Sequence, residues 1–293
     1  MNKVIKITKK TAKELLPKRT QFSSKGSYGK VLNISGSYKY QGAASLSSLA
    51  PLKVGCGLVT LATIESVINN LAGNVPCITF HKLEDFDKKC ISKNAFDNIK
   101  EIIKYYSVIS IGSGLSDDEE LDKFITDTLE FLTTNNTKCV IDADALNIAA
   151  RLGIEKYPTN AIITPHPVEM SRLLNISVTK IQDDRIKHAQ MATEKFGCNV
   201  ILKGHETIIS LTDGRIFQNT TGNSALAKAG SGDVLTGMIS GFAAQNMTIE
   251  NATILAVYLH GLCGEIASKE LSEYSVLSTD LINYIPKAIK TII

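Results

Sequence analysis

Gly222-Asn223-Ser224-Ala225-Leu226-Ala227-Lys228-Ala229-Gly230-Ser231-Gly232-Asp233-Val234-Leu235-Thr236-Gly237 is the stretch on which the reading of this chain turns. Ala229, Gly230, Ser231 and Gly232 stand directly ahead of an apolar run with helical length. Their backbone amides therefore converge at a helix N-terminus, where the partial positive charge favours an anion. Asp233 falls in the first turn of that helix. A cap that favours the helix dipole accounts for an Asp here, but capping does not need Gly-Ser-Gly ahead of it. A carboxylate beside donors that hold a transferring phosphoryl group can take the proton of the attacking hydroxyl. The stretch reads as an anion-binding turn, Ala229 to Gly232, followed by a general base.

Upstream, short β-branched runs at residues 31–35, 58–63, 75–80, 108–111, 139–141, 161–163 and 200–202 alternate with helical patterns at 93–105, 119–133 and 180–196. This predicts repeated βα units and a mainly parallel sheet flanked by helices. Residues 207–218, with Asp213-Gly214 at their centre, predict a hairpin closed by a tight two-residue turn. Beyond it lie helices at 234–244, 250–269 and 279–292. No internal repeat, low-complexity stretch or linker interrupts the chain, so residues 1–293 are expected to form a single domain.

Composition narrows the function classes. In 293 residues, 32 basic against 29 acidic side chains leave a net charge of +3, too weak a field to predict nucleic-acid or membrane binding. Residues 1–10 lack the apolar core of a secretory signal, and no apolar run is long enough to span a bilayer. The six cysteines, Cys56, Cys77, Cys90, Cys139, Cys198 and Cys263, form no C-x-x-C pair. They read as reduced thiols of a cytoplasmic protein. The sequences of the common nucleotide motifs, G-x-x-x-x-G-K-[S/T] and G-x-G-x-x-G after a strand, are both missing.

Further motifs follow in order: Lys25-Gly26-x-Tyr28-Gly29-Lys30-Val31, Gly42-Ala43-Ala44, Gly55-x-Gly57-Leu58-Val59-Thr60, Ile111-Gly112-Ser113-Gly114-Leu115, Asp142-Ala143-Asp144-Ala145-Leu146-Asn147, Thr164-Pro165-His166-Pro167-x-Glu169-Met170 and Lys203-Gly204-x-x-Thr207. Together with Ala229 to Asp233 they resemble the ADP/ATP-dependent NAD(P)H-hydrate dehydratase family of the ribokinase-like superfamily, over roughly residues 25–281. The resemblance implies a ribokinase-like α/β fold and a lyase that spends ADP or ATP, with Mg²⁺, to dehydrate the S-form of hydrated NADH or NADPH. It places the hydrated nicotinamide near Ala43, Gly114 and His166, with Asp233 at its hydroxyl. The adenine nucleotide would lie along Lys203, Gly204, His205, Glu206 and Thr207 and at Gly232. It further implies a homotetramer and coupling to a separate NAD(P)H-hydrate epimerase, with no epimerase domain on this chain.

The residues themselves give most of these positions a reason and leave several open. Gly42-Ala43 and Gly112 to Gly114 are small residues after strands, where a flat ring or a ribose can approach the backbone. His166, held between two prolines after a strand, sits where site loops sit. Glu169 either favours a helix dipole or holds a water on magnesium. Lys203 either neutralises phosphate or faces solvent at a strand end. Asp142 and Asp144 point to opposite sides if the strand runs through them, so one is expected to orient site groups or a Mg²⁺ water while the other caps a helix. Asn147 shares that ambiguity. Gln41, Val168 and Ser224 depart from the family pattern and bear on loop stiffness. Two alternatives are a small-molecule kinase of the same fold acting on a vitamin-like alcohol, and a silent nucleotide-binding module.

Overall fold

Hydrophobic pattern and chain order place every long strand in one layer. The computed structural model describes residues 3 to 293; the first two residues of the 1–10 reading lie outside them. In chain order the elements are β1 Val4–Lys6, α1 Lys9–Leu15, β2 Lys30–Ile34, α2 Gln41–Lys53, β3 Leu58–Thr63, α3 Glu65–Leu71, β4 Thr79–Lys82, β5 Asp85–Phe86, β6 Cys90–Ile91, α4 Phe96–Ile103 and β7 Val108–Ile111. There follow α5 Leu121–Thr134, β8 Cys139–Ile141, α6 Ala143–Leu152, β9 Ala161–Ile163, α7 Pro167–Leu174, α8 Val178–Asp183, α9 Arg185–Phe196, β10 Asn199–Leu202, β11 Ile208–Ser210, β12 Ile216–Gln218, α10 Ser231–Ala244, α11 Ile249–Leu271 and α12 Ser278–Ile292.

Ten strands form one sheet in the order β1-β12-β11-β10-β9-β8-β7-β2-β3-β4, with β5 and β6 as a separate small ribbon. All neighbours pair in parallel except β11, which runs against both β10 and β12. The central strands are buried on both faces, as parallel strands covered by helices are. Strand order reverses between β2 and β7: β3 and β4 extend one way, β8, β9 and β10 the other. At such a switch point the following loops diverge and leave a crevice.

Helix α10 lies close against α2 because Gly237 and Gly241, four residues apart, share the facing side. A Cβ on Gly241 would sit 2.5 Å from Pro51 Cα, and one on Gly237 would sit 2.8 Å from Ser47 O. That contact fixes the N-terminus of α10 over the C-terminal ends of the strands. Among the described residues no helix is long and apolar enough to cross a membrane.

Three local expectations need correction. The strand expected at 75–80 begins only at Thr79, because the Val75 amide closes the end of α3 on Leu71 O and Pro76 follows. The helix expected at 180–196 is two helices, broken at Asp184 (φ −146, ψ 77), whose side chain caps α9 by accepting from the Lys187 amide at 3.0 Å. The hairpin turn is a three-residue loop, Thr212 to Gly214, since the Leu211 amide bonds Arg215 O and only Gly214 takes a positive φ.

Candidate active site

The turn into α10 is built by its neighbours. Gly230 adopts φ 87, and a Cβ there would meet Leu46 Cδ1 at 2.6 Å and Ser278 Oγ at 3.0 Å, so only glycine fits. Ser278 Oγ donates to Ala229 O at 2.6 Å, and His260 Nε2 contacts Ser231 O at 3.0 Å. The Ser231 amide is committed to Lys228 O at 3.2 Å, a correction to the four-residue anion turn. The first intrahelical bond of this turn runs from Val234 to Gly230 O. The Gly232 and Asp233 amides are therefore the first-turn donors left to an anion.

Behind Gly232 lies a buried ion pair. Asp142 follows β8 and is 1% exposed; it accepts from Thr164 Oγ1 at 2.6 Å, Lys203 Nζ at 2.7 Å and Thr236 Oγ1 at 2.7 Å. Burial alone would raise its pKa, but the Lys203 charge and these bonds hold it below the ordinary value. Burial likewise lowers Lys203, and the charges of Asp142 and Glu169 more than offset it. The strand ends before Asp142, so the alternation expected for Asp142 and Asp144 does not apply. Asp144 caps nothing by its side chain: its Oδ2 accepts from the Ser116 amide at 2.8 Å. Asn147 Oδ1 accepts from Arg172 Nη1 at 2.6 Å.

His166 is the N-cap of α7. Its Nδ1 accepts from the Val168 and Glu169 amides at 3.1 and 3.2 Å, while Glu169 Oε2 accepts from the His166 amide at 2.7 Å. This reciprocal capping box fixes the imidazole with its proton on Nε2. Burial holds His166 below its ordinary pKa, and protonating Nδ1 would break both caps. Glu169 is 4% exposed and lies 3.8 Å from Lys203, so one of its oxygens is occupied by the chain itself. Among the described residues no group of three or more His, Cys, Asp or Glu side chains is placed to hold a metal ion.

Ala43, in the first turn of α2 after β2, and Gly114, on the loop after β7, meet at the switch point. A Cβ on Gly114 (φ 64) would lie 2.7 Å from Ala43 Cβ and 2.8 Å from Tyr40 O, and Ser37 Oγ donates to Gly114 O at 2.9 Å. Asp233 stands beside this turn. Burial, then the negative charge of Asp142, pushes its carboxyl up to about 6, with the Ser113 hydroxyl and the Lys203 charge acting in the opposite direction. On the far side of Gly232 opens a cavity of about 710 Å³, within the range of nucleotide-sized sites. His166, Lys203, Gly204, His205, Glu206, Thr207, Ser231 and Gly232 line it.

The model of the NAD(P)H-hydrate dehydratase family matches residues 31–287. This chain belongs to that family. A dehydratase relative from Bacillus subtilis, the ADP-dependent (S)-NAD(P)H-hydrate dehydratase, is 33% identical over 283 residues, covering 97% of each chain. The solved structure of the Bacillus subtilis ADP/ATP-dependent NAD(P)H-hydrate dehydratase, co-crystallised with ATP and Mg²⁺, aligns over 99% of both chains at 31% identity and a TM-score of 0.86. The bifunctional NAD(P)H-hydrate repair enzyme of Thermofilum pendens is 35% identical over 279 residues, which are 94% of this chain and 53% of that protein. The chain thus spans about half the length of such bifunctional curated relatives.

Within this dehydratase family member, every expected nucleotide residue lies on the cavity, and Ala43, Gly114 and Asp233 gather around the switch point. Sequence reasoning missed the opposite wall: Asn219, Thr221, Lys228 and His260. His260 is pushed down to about 4 by burial, and so is neutral at the pH of the cell. Its place in a long apolar helix gave no sign of a site. Lys228 lay within the quoted stretch but in a segment read only for its glycines.

Proposed function

We propose that this protein is a ribokinase-like lyase that uses ADP or ATP to dehydrate the S-form of hydrated NADH or NADPH, releasing AMP or ADP and phosphate. The observation that carries the reading is the position of Asp233: a buried carboxylate beside Ser113 of the Gly112–Gly114 turn and next in the chain to Gly232, which lines the cavity. A flat ring fits a crevice walled by Ala43 and Gly114, while His166 lies on the wall of the neighbouring cavity. A nucleotide fits the cavity along Lys203 to Thr207, and its terminal phosphate would meet the Gly232 and Asp233 amides.

A hydroxyl on a saturated ring is a poor leaving group, and phosphorylation makes it a good one. With its pKa raised to about 6, Asp233 is ionised at neutral pH yet more basic than an ordinary carboxylate, which suits a general base. It takes the hydroxyl proton as the hydroxyl oxygen attacks the terminal phosphorus, and the bond to the nucleotide's bridging oxygen breaks. The ring nitrogen lone pair then expels phosphate by cleaving the carbon–oxygen bond. Loss of a proton from the adjacent ring carbon restores the double bond. The first-turn amides of α10 stabilise the charge on the transferring phosphoryl group.

Mg²⁺ fits this donor set only as an ion carried by the nucleotide phosphates, with Glu169 holding one of its waters; it would neutralise phosphate charge there. The relatives named for the S-form support that stereochemistry, and coupling to an epimerase that interconverts the two forms would enlarge the usable pool. Six free cysteines, five of them buried, agree with a cytoplasmic setting. A homotetramer belongs to the same proposal, and sedimentation would test it. The function itself is tested by incubating the protein with S-hydrate, Mg²⁺ and ADP or ATP: one NADH and one inorganic phosphate should form per nucleotide consumed. A stable phosphorylated alcohol would instead identify a kinase.

A further inference from the structure

The cavity carries two lysines, and one is already neutralised. Lys203 Nζ lies 2.7 Å from Asp142 and 3.8 Å from Glu169, so a single cation faces two carboxylates and has no excess charge to offer. Two of the three histidines on the cavity wall add little. His260 is neutral, pushed down to about 4 by burial, and His166 is locked with Nδ1 as an acceptor. Glu206, on the cavity wall with Oε2 bound by Gln218 Nε2 at 2.8 Å, contributes a negative charge. A nucleotide di- or triphosphate entering this space needs a cation to replace the water it loses.

Lys228 is placed to supply it. Its carbonyl accepts the Ser231 amide at 3.2 Å, which ties it to the turn that opens α10. Its Nζ donates to the neutral carbonyl of Tyr274 at 2.6 Å. Among the described residues no carboxylate pairs with it, and Lys228 is one of the residues that line the cavity. We infer that Lys228 is the phosphate-binding cation of this site: its ammonium exchanges the Tyr274 carbonyl for the polyphosphate of the bound nucleotide, while Lys203 stays with Asp142 and positions the Gly232 turn. The inference rests on the cavity being the nucleotide site.

The test is calorimetric titration of the full chain with ADP and, separately, with adenosine. In Lys228→Met, ADP should bind roughly 10- to 100-fold more weakly, the loss of one charge-assisted contact. Adenosine should bind as it does to the wild type. The salt dependence of ADP binding should flatten in Lys228→Met, and Lys228→Arg should recover most of the affinity. Equal weakening of ADP and adenosine would mean that Lys228 only holds the Tyr274 loop, and would overturn the inference. So would unchanged ADP binding. A wild-type chain that binds neither ligand would overturn the nucleotide reading itself, and is told apart because the defect appears before any substitution.

Discussion

Asp233→Asn should stabilise this protein while abolishing its activity. The carboxyl is pushed from the ordinary 3.8 up to about 6, chiefly by burial. At about 1.36 kcal/mol per unit, that shift of roughly two units means the ionised side chain costs the fold about 3 kcal/mol at pH 8. The sign follows from linkage: the folded state binds the Asp233 proton more tightly than the unfolded chain. The stabilisation is thus complete below about pH 4 and is lost as pH rises through about 6. An amide of the same shape never ionises and escapes the cost. Urea denaturation of wild type and variant, without ligand, should show the variant ahead by about 2–3 kcal/mol at pH 8 and by only about 1 kcal/mol near pH 4.5. A gap that does not change with pH, or a variant less stable at pH 8, would refute the reasoning that burial and Asp142 make this carboxylate basic.

The same raised pKa predicts the rate profile: turnover should fall as pH drops through about 6, where Asp233 takes up its proton, and a flat profile from pH 5 to 8 would count against Asp233 as the base. Asp142→Ala leaves Lys203, Thr164 and Thr236 without their shared acceptor, and should cost about 3–5 kcal/mol by urea denaturation. A loss below about 1 kcal/mol would show that the pair is not buried in solution. Gly241→Ala should cost about 1–3 kcal/mol, because its Cβ would fall 2.5 Å from Pro51 Cα, in the backbone of α2; thermal denaturation reads it directly.

The sheet was legible because parallel strands buried on both faces are short, β-branched and regularly spaced: β3, β7, β8 and β9 coincide with runs read from the sequence, and β2 and β10 begin one residue before theirs. The helix α2 was not legible. It carries Pro51 and a mixture of Ala, Ser and Leu with no clear amphipathic stripe, because it packs against α10 through small residues rather than laying one apolar face on the sheet. The strand β1 is three residues long and is defined only by β12, more than two hundred positions away. Asp184 broke a helix that looked continuous because residues 180–196 keep a mixed polar and apolar pattern of helix length through it.

At the candidate site, Asp233 and the glycines could be singled out because the signal is local: a glycine turn, a helix start and an acid in the first turn. What could not be read is which charge meets which. Lys203 looked free for phosphate until Asp142, 61 positions away, was brought to it by the ends of β8 and β10, which flank β9 in the sheet. The Ser231 amide looked available until the turn at Lys228 claimed it. Pairings of this kind are properties of the sheet order, not of any motif.

The most direct test of the proposed chemistry follows one oxygen atom. Hydrated NADH labelled with ¹⁸O in its ring hydroxyl, turned over with ADP in ordinary water, should deliver that oxygen to inorganic phosphate, one label per phosphate by mass spectrometry, because the hydroxyl oxygen attacks phosphorus and leaves with it. Label found in water beside unlabelled phosphate would contradict the account, since the hydroxyl would then have departed without ever being phosphorylated.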